Sequence, residues 1–227
     1  ILIYKYKSIA QVFKIYDIPN QNRKLHKSPV PLIGGLILLI NLLIYIGFEF
    51  IFINKVFLPD TYYLNNLFLN SNKSITSFLF CMSLLFLLGY FDDKYDLDPF
   101  KKLLVLFFIF YIFFKLDSSL VISKLNLSFV SYSIEISEVG FFFSLFVSLI
   151  FLNSINMYDG INGQVGILSL TIFLYFLLNN FMPMFSILLI ISLLFFLFLN
   201  IKGKIFMGDS GCYVLSFVMI YFFFKVL

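Results

Sequence analysis

Residues 160–201 read GINGQVGILSLTIFLYFLLNNFMPMFSILLIISLLFFLFLNI and contain no charged side chain. A helix needs about 20 apolar residues to cross the hydrocarbon core of a bilayer, so this stretch is long enough for two crossings. Asn179, Asn180 and Pro183 interrupt the stretch near its middle, where a turn between two helices is expected. These residues predict two consecutive membrane helices.

The composition of the 227 residues extends this prediction to the whole chain. Hydrophobic residues make up 61% and charged residues 12%, whereas soluble domains average about 45–50% and about 25%. A soluble globule, a disordered segment and a collagen are therefore excluded. Cys81 and Cys212 lie in apolar runs, which argues against a disulfide scaffold. The net charge is +4, but the basic residues form no stripe along the sequence, so we expect no nucleic-acid partner.

Apolar runs predict seven membrane helices in all. Their ranges are 32–53, 75–91, 99–116, 139–155, 164–180, 183–200 and 211–227. Between the third and fourth helices, Leu, Phe, Tyr and Ile alternate with Ser and Asn over residues 123–137, which predicts a small β-hairpin outside the bilayer. The predicted fold is an all-α, polytopic membrane helix bundle that forms one domain over residues 1–227.

Alternation of seven helices would place residues 1–31, 92–98, 156–163 and 201–210 on one face. Eleven of the 16 Lys and Arg residues lie on that face or at its helix ends, and five lie on the other. The positive-inside rule therefore predicts that this face is cytoplasmic. Seven of the twelve acidic residues lie there as well.

The first unusual segment is LGYFDDKYDLDPFKKL, residues 88–103. Asp92 and Asp93 repel each other, and Asp96 would face Asp92 one turn later if the helix continues. A carboxylate at membrane depth costs about 2.5–3.5 kcal/mol. Three carboxylates at one helix end therefore indicate a divalent cation, a basic partner or good hydration. The alternative is a solvated helix end with Lys94 as the counter-ion.

The second segment is NSINMYDGINGQ, residues 153–164. Asn153, Asn156 and Asp159 stand at helical spacing i, i+3 and i+6, and a glycine-rich turn follows them. Amide and carboxylate oxygens on one helix face suit a sugar, a base or a metal-bound phosphate. The alternative is helix capping followed by a tight turn.

The third segment is NIKGKIFMGDSG, residues 200–211, in which Asp209 stands at the start of the last helix. The positive end of that helix favours an anion nearby. Alternatively, Asp209 is an ordinary N-cap.

The fourth segment is RKLHKSPVPLIGG, residues 23–35, and it includes His26 and Lys27. Its cations could hold a phosphate or could simply follow the positive-inside rule. Carboxylates and amides without a Cys/His set favour Mg²⁺, with Mn²⁺ possible. Together the four segments describe a phosphoryl-transfer site at the boundary between lipid and water.

In this order and at these helix ends, the four segments resemble the polyprenyl-phosphate N-acetylhexosamine-1-phosphate transferases, from about Asp17 to Gly211. The resemblance implies Mg²⁺-dependent transfer of N-acetylhexosamine-1-phosphate from a UDP-sugar such as UDP-GlcNAc to undecaprenyl phosphate, with release of UMP. It further implies an enzyme of the bacterial inner membrane that acts in the biosynthesis of a cell-envelope polysaccharide such as lipopolysaccharide. A homodimer is a possible assembly. Family members have more helices than seven, so we expect this chain to be truncated at both ends.

The resemblance also implies residue roles. Asp209 matches the metal-ligand aspartate, while Asp92 and Asp93 match an aspartate pair that handles the lipid phosphate or assists the metal. Asp159 matches a motif that shapes the nucleotide and metal site, so Asp92, Asp93 and Asp159 are the expected catalytic residues. The expected substrate-binding residues are Asn153, Asn156, Asn162, Lys102, His26 and Lys27.

Two alternatives from other classes remain open. The spacing of Asp92, Asp93 and Asp96 is a DDxxD pattern, as in intramembrane prenyltransferases, but a second Asp-rich motif is missing. An ion-coupled transporter would use buried acids as an ion path, but the acids here gather at one face instead of at helix midpoints.

Overall fold

The computed structural model describes residues 2–13, 15–19, 28–52, 72–125 and 133–226. Eight α-helices lie in these ranges: α1 Leu2–Phe13, α2 Gly34–Phe52, α3 Asn72–Tyr95, α4 Pro99–Leu116, α5 Gly140–Tyr158, α6 Gln164–Leu178, α7 Pro183–Asn200 and α8 Gly208–Val226. A short 3-10 helix covers Ser118–Leu120. Four strands of two residues complete the described elements: β1 Tyr16–Asp17, β2 Val30–Pro31, β3 Lys124–Leu125 and β4 Ile134–Glu135.

Four of these helices are long and apolar enough to cross a membrane: Ser74–Tyr95 within α3, and the whole of α5, α7 and α8. The apolar parts of α2 and α6, Gly34–Gly47 and Gln164–Leu178, are shorter. Helix α4 has 18 residues but carries three lysines. The prediction of a mostly helical chain is therefore confirmed, and four of the seven predicted spans have the length and composition of membrane helices.

Helix α8 forms the centre of the bundle. It contacts α2, α3, α5 and α6, and every residue from 210 to 222 is buried. Phe217 illustrates the packing, since its ring lies 5.1 Å from that of Phe78 on α3 and 4.9 Å from that of Phe113 on α4. A helix that is apolar around its whole circumference lies either inside a protein core or against lipid, and here neighbouring helices cover it.

Glycines let α2 and α3 approach the first turn of α8 closely. Gly89 of α3 lies against the backbone of Ser210, and Gly35 of α2 lies against the backbone of Gly211. A Cβ atom at either glycine would overlap backbone atoms of α8. The start of α8 is therefore clamped between two helix backbones.

The predicted hairpin is present as the antiparallel pair β3 and β4. Lys124 lies opposite Glu135, and their side chains form an exposed ion pair at 3.2 Å. Residues 126–132, which the prediction assigned to the same hairpin, lie outside the described residues. The strands that flank this gap fix the register of the hairpin.

A second antiparallel pair, β1 and β2, was not predicted. Its β2 end joins the loop before α8, because the Phe206 N–H donates to the Pro31 carbonyl oxygen at 2.9 Å. In turn, the N–H groups of Gly34 and Gly35 donate to the carbonyls of Phe206 and Met207 at 3.0 and 3.1 Å. These backbone bonds hold the start of α2 beside the start of α8.

The clamp on α8 predicts a large difference between two glycine substitutions in otherwise similar helices. We expect Gly89→Ala to lower the melting temperature of the purified full-length protein, because overpacking a rigid contact costs about 1–3 kcal/mol. Gly47→Ala on α2 is the control, since no heavy atom of the described residues outside its own stretch of helix backbone lies within 4 Å of the position that its new methyl group would take. Equal melting temperatures for the two variants would contradict the close packing described here.

Candidate functional site

Polar residues from five helices and the loops beside them meet at one end of the bundle. Three side-chain contacts illustrate this: Asp93 of α3 bonds the start of α8, Lys102 of α4 bonds Asp92 and Asp209, and Asp159 after α5 bonds Cys212. The structure thus brings together three of the segments that the sequence singled out. They are 88–103, 153–164 and 200–211.

Asp93 caps the N-terminus of α8 from a different helix. Its Oδ1 accepts a hydrogen bond from the Asp209 N–H at 2.7 Å, and its Oδ2 accepts one from the Ser210 N–H at 3.1 Å. The first N–H groups of a helix have no partner within the helix, and the positive end of the helix dipole favours a carboxylate there. Both oxygens of Asp93 are therefore committed to α8.

Gly208 makes this cap possible. Its backbone has φ +73°, in the left-handed region that side chains other than glycine rarely adopt. A Cβ atom at this position would also lie 2.7 Å from the Asp93 Oδ2. The glycine before Asp209 thus leaves room for a carboxylate.

Lys102 connects Asp92 with Asp209. Its ammonium forms an ion pair with the Asp92 Oδ2 and a longer contact of 3.3 Å with the Asp209 Oδ2. Asp92 also accepts the Leu97 N–H at 3.0 Å. The Asp92 side chain is only 4% exposed, whereas that of Asp209 is 33% exposed. Asp209 is therefore the more accessible of the two carboxylates to a ligand.

Asp159 lies just beyond the last residue of α5. The Cys212 thiol of α8 donates a hydrogen bond to the Asp159 Oδ2 at 3.4 Å, and burial raises the pKa of the Asp159 carboxyl. Nearby, the buried Asn200 side chain accepts the Gly163 N–H at 2.6 Å and donates to the Ile205 carbonyl at 2.9 Å. Asn200 therefore ties the loop that contains Gly163 to the loop before α8.

The remaining predicted residues lie in different environments. Asn153 donates a hydrogen bond to a carbonyl of its own helix, α5. The Asn156 Oδ1 is buried and makes no hydrogen bond among the described residues, whereas Asn162 is exposed. His26 and Lys27 lie outside the described residues.

Asp96 does not occupy the place expected of it. Helix α3 ends at Tyr95, and Asp96 is exposed with φ 52°. The helix therefore does not continue, and the expectation that Asp96 faces Asp92 on a shared helix face is wrong. The chain turns here because Leu97 donates its N–H to the Asp92 side chain and Asp98 starts the next helix.

An apolar groove of about 480 Å³ lies between α4 and α5. It is lined by Leu103, Leu104, Phe107, Phe146, Leu149, Ile150, Asn153, Ser154 and Met157. The lining begins at the residue that follows Lys102 and extends along both helices away from the polar cluster. The end of the bundle that holds the charged groups is therefore also one end of a groove that suits a hydrocarbon chain.

Sequence reasoning missed two residues of α8 that border the polar cluster. Cys212 was interpreted only as a small hydrophobic residue, and Tyr213 was not singled out. Tyr213 is fully buried, and the Lys102 ammonium lies 5.7 Å from the centre of its ring. The available signal was spacing, because residues three and four positions after Asp209 share its helix face.

The donor chemistry fits Mg²⁺ bound together with a substrate. Carboxylate oxygens suit this hard cation, which proteins usually hold with one or two carboxylates plus substrate phosphates. Among the described residues, no three acidic, histidine or cysteine side chains converge on one point. The partly exposed Asp209 is the residue placed to supply a ligand, and Asp92 would add one only by exchanging its bond to Lys102, so the substrate would have to provide the others.

The family model for glycosyl transferase family 4 matches residues 75–226, about two thirds of the chain. The chain belongs to this family. The matched region includes every side chain of the polar cluster described above. The region that matches the family model is therefore also the region that forms the polar cluster.

Family members from several bacteria are similar to the chain over most of its length. An undecaprenyl-phosphate alpha-N-acetylglucosaminyl 1-phosphate transferase from Escherichia coli strain K12 is 26% identical over 227 residues, which cover 95% of this chain and 56% of that protein. A phospho-N-acetylmuramoyl-pentapeptide-transferase from Dictyoglomus turgidum is 31% identical over 212 residues, or 84% of this chain and 57% of that protein. The chain thus spans a little over half the length of these relatives.

Asp93, which caps α8 from α3, and Asp98, the N-cap of α4, provide a matched test of the cap in this family 4 chain. Asp98 accepts the Lys101 N–H within its own helix at 3.2 Å and is exposed, so Asp98→Ala should cost about 1 kcal/mol. Asp93→Ala removes two bonds to a carboxylate that join α3 to α8, and each such bond is worth about 1.5–3 kcal/mol. We expect Asp93→Ala to cause the larger loss of stability in chemical unfolding of the full-length protein.

Hydrogen exchange should locate the effect of Asp93→Ala at the first turn of α8, where the N–H groups lose their acceptor. The Asp98→Ala protein serves as the control. Unchanged exchange at Asp209 and Ser210 in Asp93→Ala would contradict the cap.

Proposed function

We propose that the full-length protein transfers N-acetylhexosamine-1-phosphate from a UDP-sugar to undecaprenyl phosphate and releases UMP. One observation carries this proposal: Lys102, held between Asp92 and Asp209, is followed directly by Leu103, which lines an apolar groove of the membrane helix bundle. A lipid phosphate has the matching combination of an anionic head and a hydrocarbon chain. The names of the family members from E. coli and D. turgidum describe phospho-sugar transfer, which supports the same reaction class.

In the proposed reaction, an oxygen of the lipid phosphate attacks the β-phosphorus of the UDP-sugar. The bond from that phosphorus to the oxygen bridging it to the α-phosphate breaks, and UMP leaves with this oxygen. A phosphate monoester is already largely ionised near neutral pH, so positioning and charge neutralisation carry most of the catalysis.

The residues of the chain divide these tasks. Lys102 neutralises phosphate charge at the mouth of the groove, and Asp93 holds the first turn of α8 in place. Asp159 and Asn156 lie at the α5 end, where the sugar nucleotide would bind. Asp209, with Asp92, would hold Mg²⁺, which when bound offsets the negative charge of the phosphates.

We also propose seven crossings of the bacterial inner membrane, with the polar cluster at the cytoplasmic face. Helices α2, α4 and α6 would supply the three crossings beyond the four identified by length and composition. The three lysines of α4 suit this role, because long cationic side chains near helix ends can extend to the membrane surface. The excess of basic residues on the predicted cytoplasmic side supports the orientation.

Membranes that contain the full-length protein test the reaction directly. We expect UMP release from UDP-GlcNAc or another UDP-N-acetylhexosamine only when undecaprenyl phosphate and Mg²⁺ are both present. Lys102→Met and Asp209→Asn should each lower the rate by about 100-fold or more, the scale seen when one preorganised electrostatic group is removed.

Lys94→Met is the matched control for the lysine variant. Lys94 is exposed and stacks on Tyr90 and Tyr95 at the end of α3 instead of contacting the carboxylates. We expect it to retain near wild-type activity. Full activity in Asp209→Asn would refute the metal assignment, and a requirement for a prenyl diphosphate would favour the prenyltransferase alternative.

The groove predicts an effect on one substrate alone. Ser154→Phe places a ring in the groove between α4 and α5 and should raise the KM for undecaprenyl phosphate while leaving that for the UDP-sugar unchanged. Thr171→Phe on α6 is the control, because Thr171 is also exposed and also bonds the carbonyl four residues earlier. An equal effect of both variants on the two KM values would exclude the groove as the lipid site.

A further inference from the structure

Tyr213 is a buried polar residue without a hydrogen-bond partner. It is 0% exposed, and its hydroxyl oxygen makes no hydrogen bond among the described residues. Buried hydroxyl groups are normally paired, so an unpaired one in a native structure requires an explanation. The reaction proposed above assigns no task to this group.

The surroundings of Tyr213 are those of the polar cluster. Tyr213 follows Asp209 by one turn of α8, and its ring lies beside the Lys102 ammonium, 5.7 Å from centroid to nitrogen. Its side chain interacts electrostatically with Asp209, Lys102 and Asp92. The unpaired hydroxyl therefore belongs to the same charged cluster.

Lys102 has a donor to spare. An ammonium group carries three N–H donors and no acceptor. Asp92 and Asp209 each accept a bond from this ammonium, and Tyr213 is the further polar side chain with which it interacts. A donor on Lys102 and the Tyr213 hydroxyl are thus both available in the same small volume.

We propose that the spare N–H of Lys102 and the O–H of Tyr213 bind one phosphate oxygen of a substrate. This inference rests on the proposed function and deepens it by adding a residue that contacts substrate. The phosphate could come from the lipid acceptor or from the diphosphate of the UDP-sugar, since both present the same anionic oxygen.

The charges of the cluster determine when this subsite can be filled. The carboxyl groups of Asp92, Asp93, Asp159 and Asp209 lie in or beside this cluster, and the Lys102 ammonium bonds two of them. An anion alone would therefore be repelled. We expect the phosphate to bind only together with a divalent cation, which offsets negative charge of the carboxylates.

Binding measurements with Tyr213→Phe test this subsite without relying on turnover. The full-length protein in detergent is titrated by calorimetry with undecaprenyl phosphate and, separately, with UDP-GlcNAc, each with Mg²⁺. Removing one hydrogen bond to a charged group should lower the affinity for one of the two ligands by about tenfold or more. The ligand whose affinity falls is the one whose phosphate contacts Tyr213.

Tyr221→Phe is the matched control. Tyr221 is also fully buried and lies two turns further along α8, near the end of the helix away from the polar cluster. We expect this variant to bind both ligands as the wild type does. Because Tyr213→Phe retains the ring, its unliganded melting temperature should stay close to that of the wild type.

A double-mutant cycle distinguishes a shared phosphate oxygen from a structural role. If Lys102 and Tyr213 bind the same oxygen, the loss of affinity in the double variant Lys102→Met/Tyr213→Phe is smaller than the product of the two single losses. Wild-type affinity for both ligands in Tyr213→Phe, or independent losses in the cycle, would overturn the subsite. If the wild-type protein binds neither ligand, the proposed function itself is overturned, and the subsite with it.

Discussion

The arrangement of the site depends on one interaction, the capping of helix α8 by the Asp93 carboxylate. The first N–H groups of α8 have no acceptor within the helix and need one from outside it. Asp93 supplies that partner from α3, across 116 residues of sequence. The same contact fixes the register of α3 against α8, which brings Asp92 and Lys102 up to Asp209.

Other contacts reinforce this geometry. Gly89 and Gly35 allow the backbones of α3 and α2 to approach α8 closely, and backbone hydrogen bonds join the loops before α2 and α8. The Asn200 side chain connects the loop before α6 with the loop before α8. The polar cluster is therefore held by backbone contacts together with the side chains of Asp93 and Asn200, while the Asp209 side chain stays partly exposed.

The sequence predicts the class of the fold and the end of the bundle at which the chemistry lies, since both follow from apolar runs and from the positions of scarce charges. It does not predict what each aspartate does. Asp92 and Asp93 are adjacent and look equivalent, yet one forms an ion pair with Lys102 and the other caps α8, because a helix directs consecutive side chains about 100° apart. Tyr213 was missed for a related reason, since only packing shows that its hydroxyl lies beside Lys102 without a partner.

The central claim is that a sugar is transferred together with its phosphate, and the mass of the lipid product tests it most directly. The full-length protein is incubated with a UDP-N-acetylhexosamine, undecaprenyl phosphate and Mg²⁺, and the extracted lipid is analysed by mass spectrometry. The account predicts an undecaprenyl diphosphate that carries one N-acetylhexosamine, formed with one equivalent of UMP. An undecaprenyl monophosphate sugar formed with UDP, or an unmodified lipid, would contradict it.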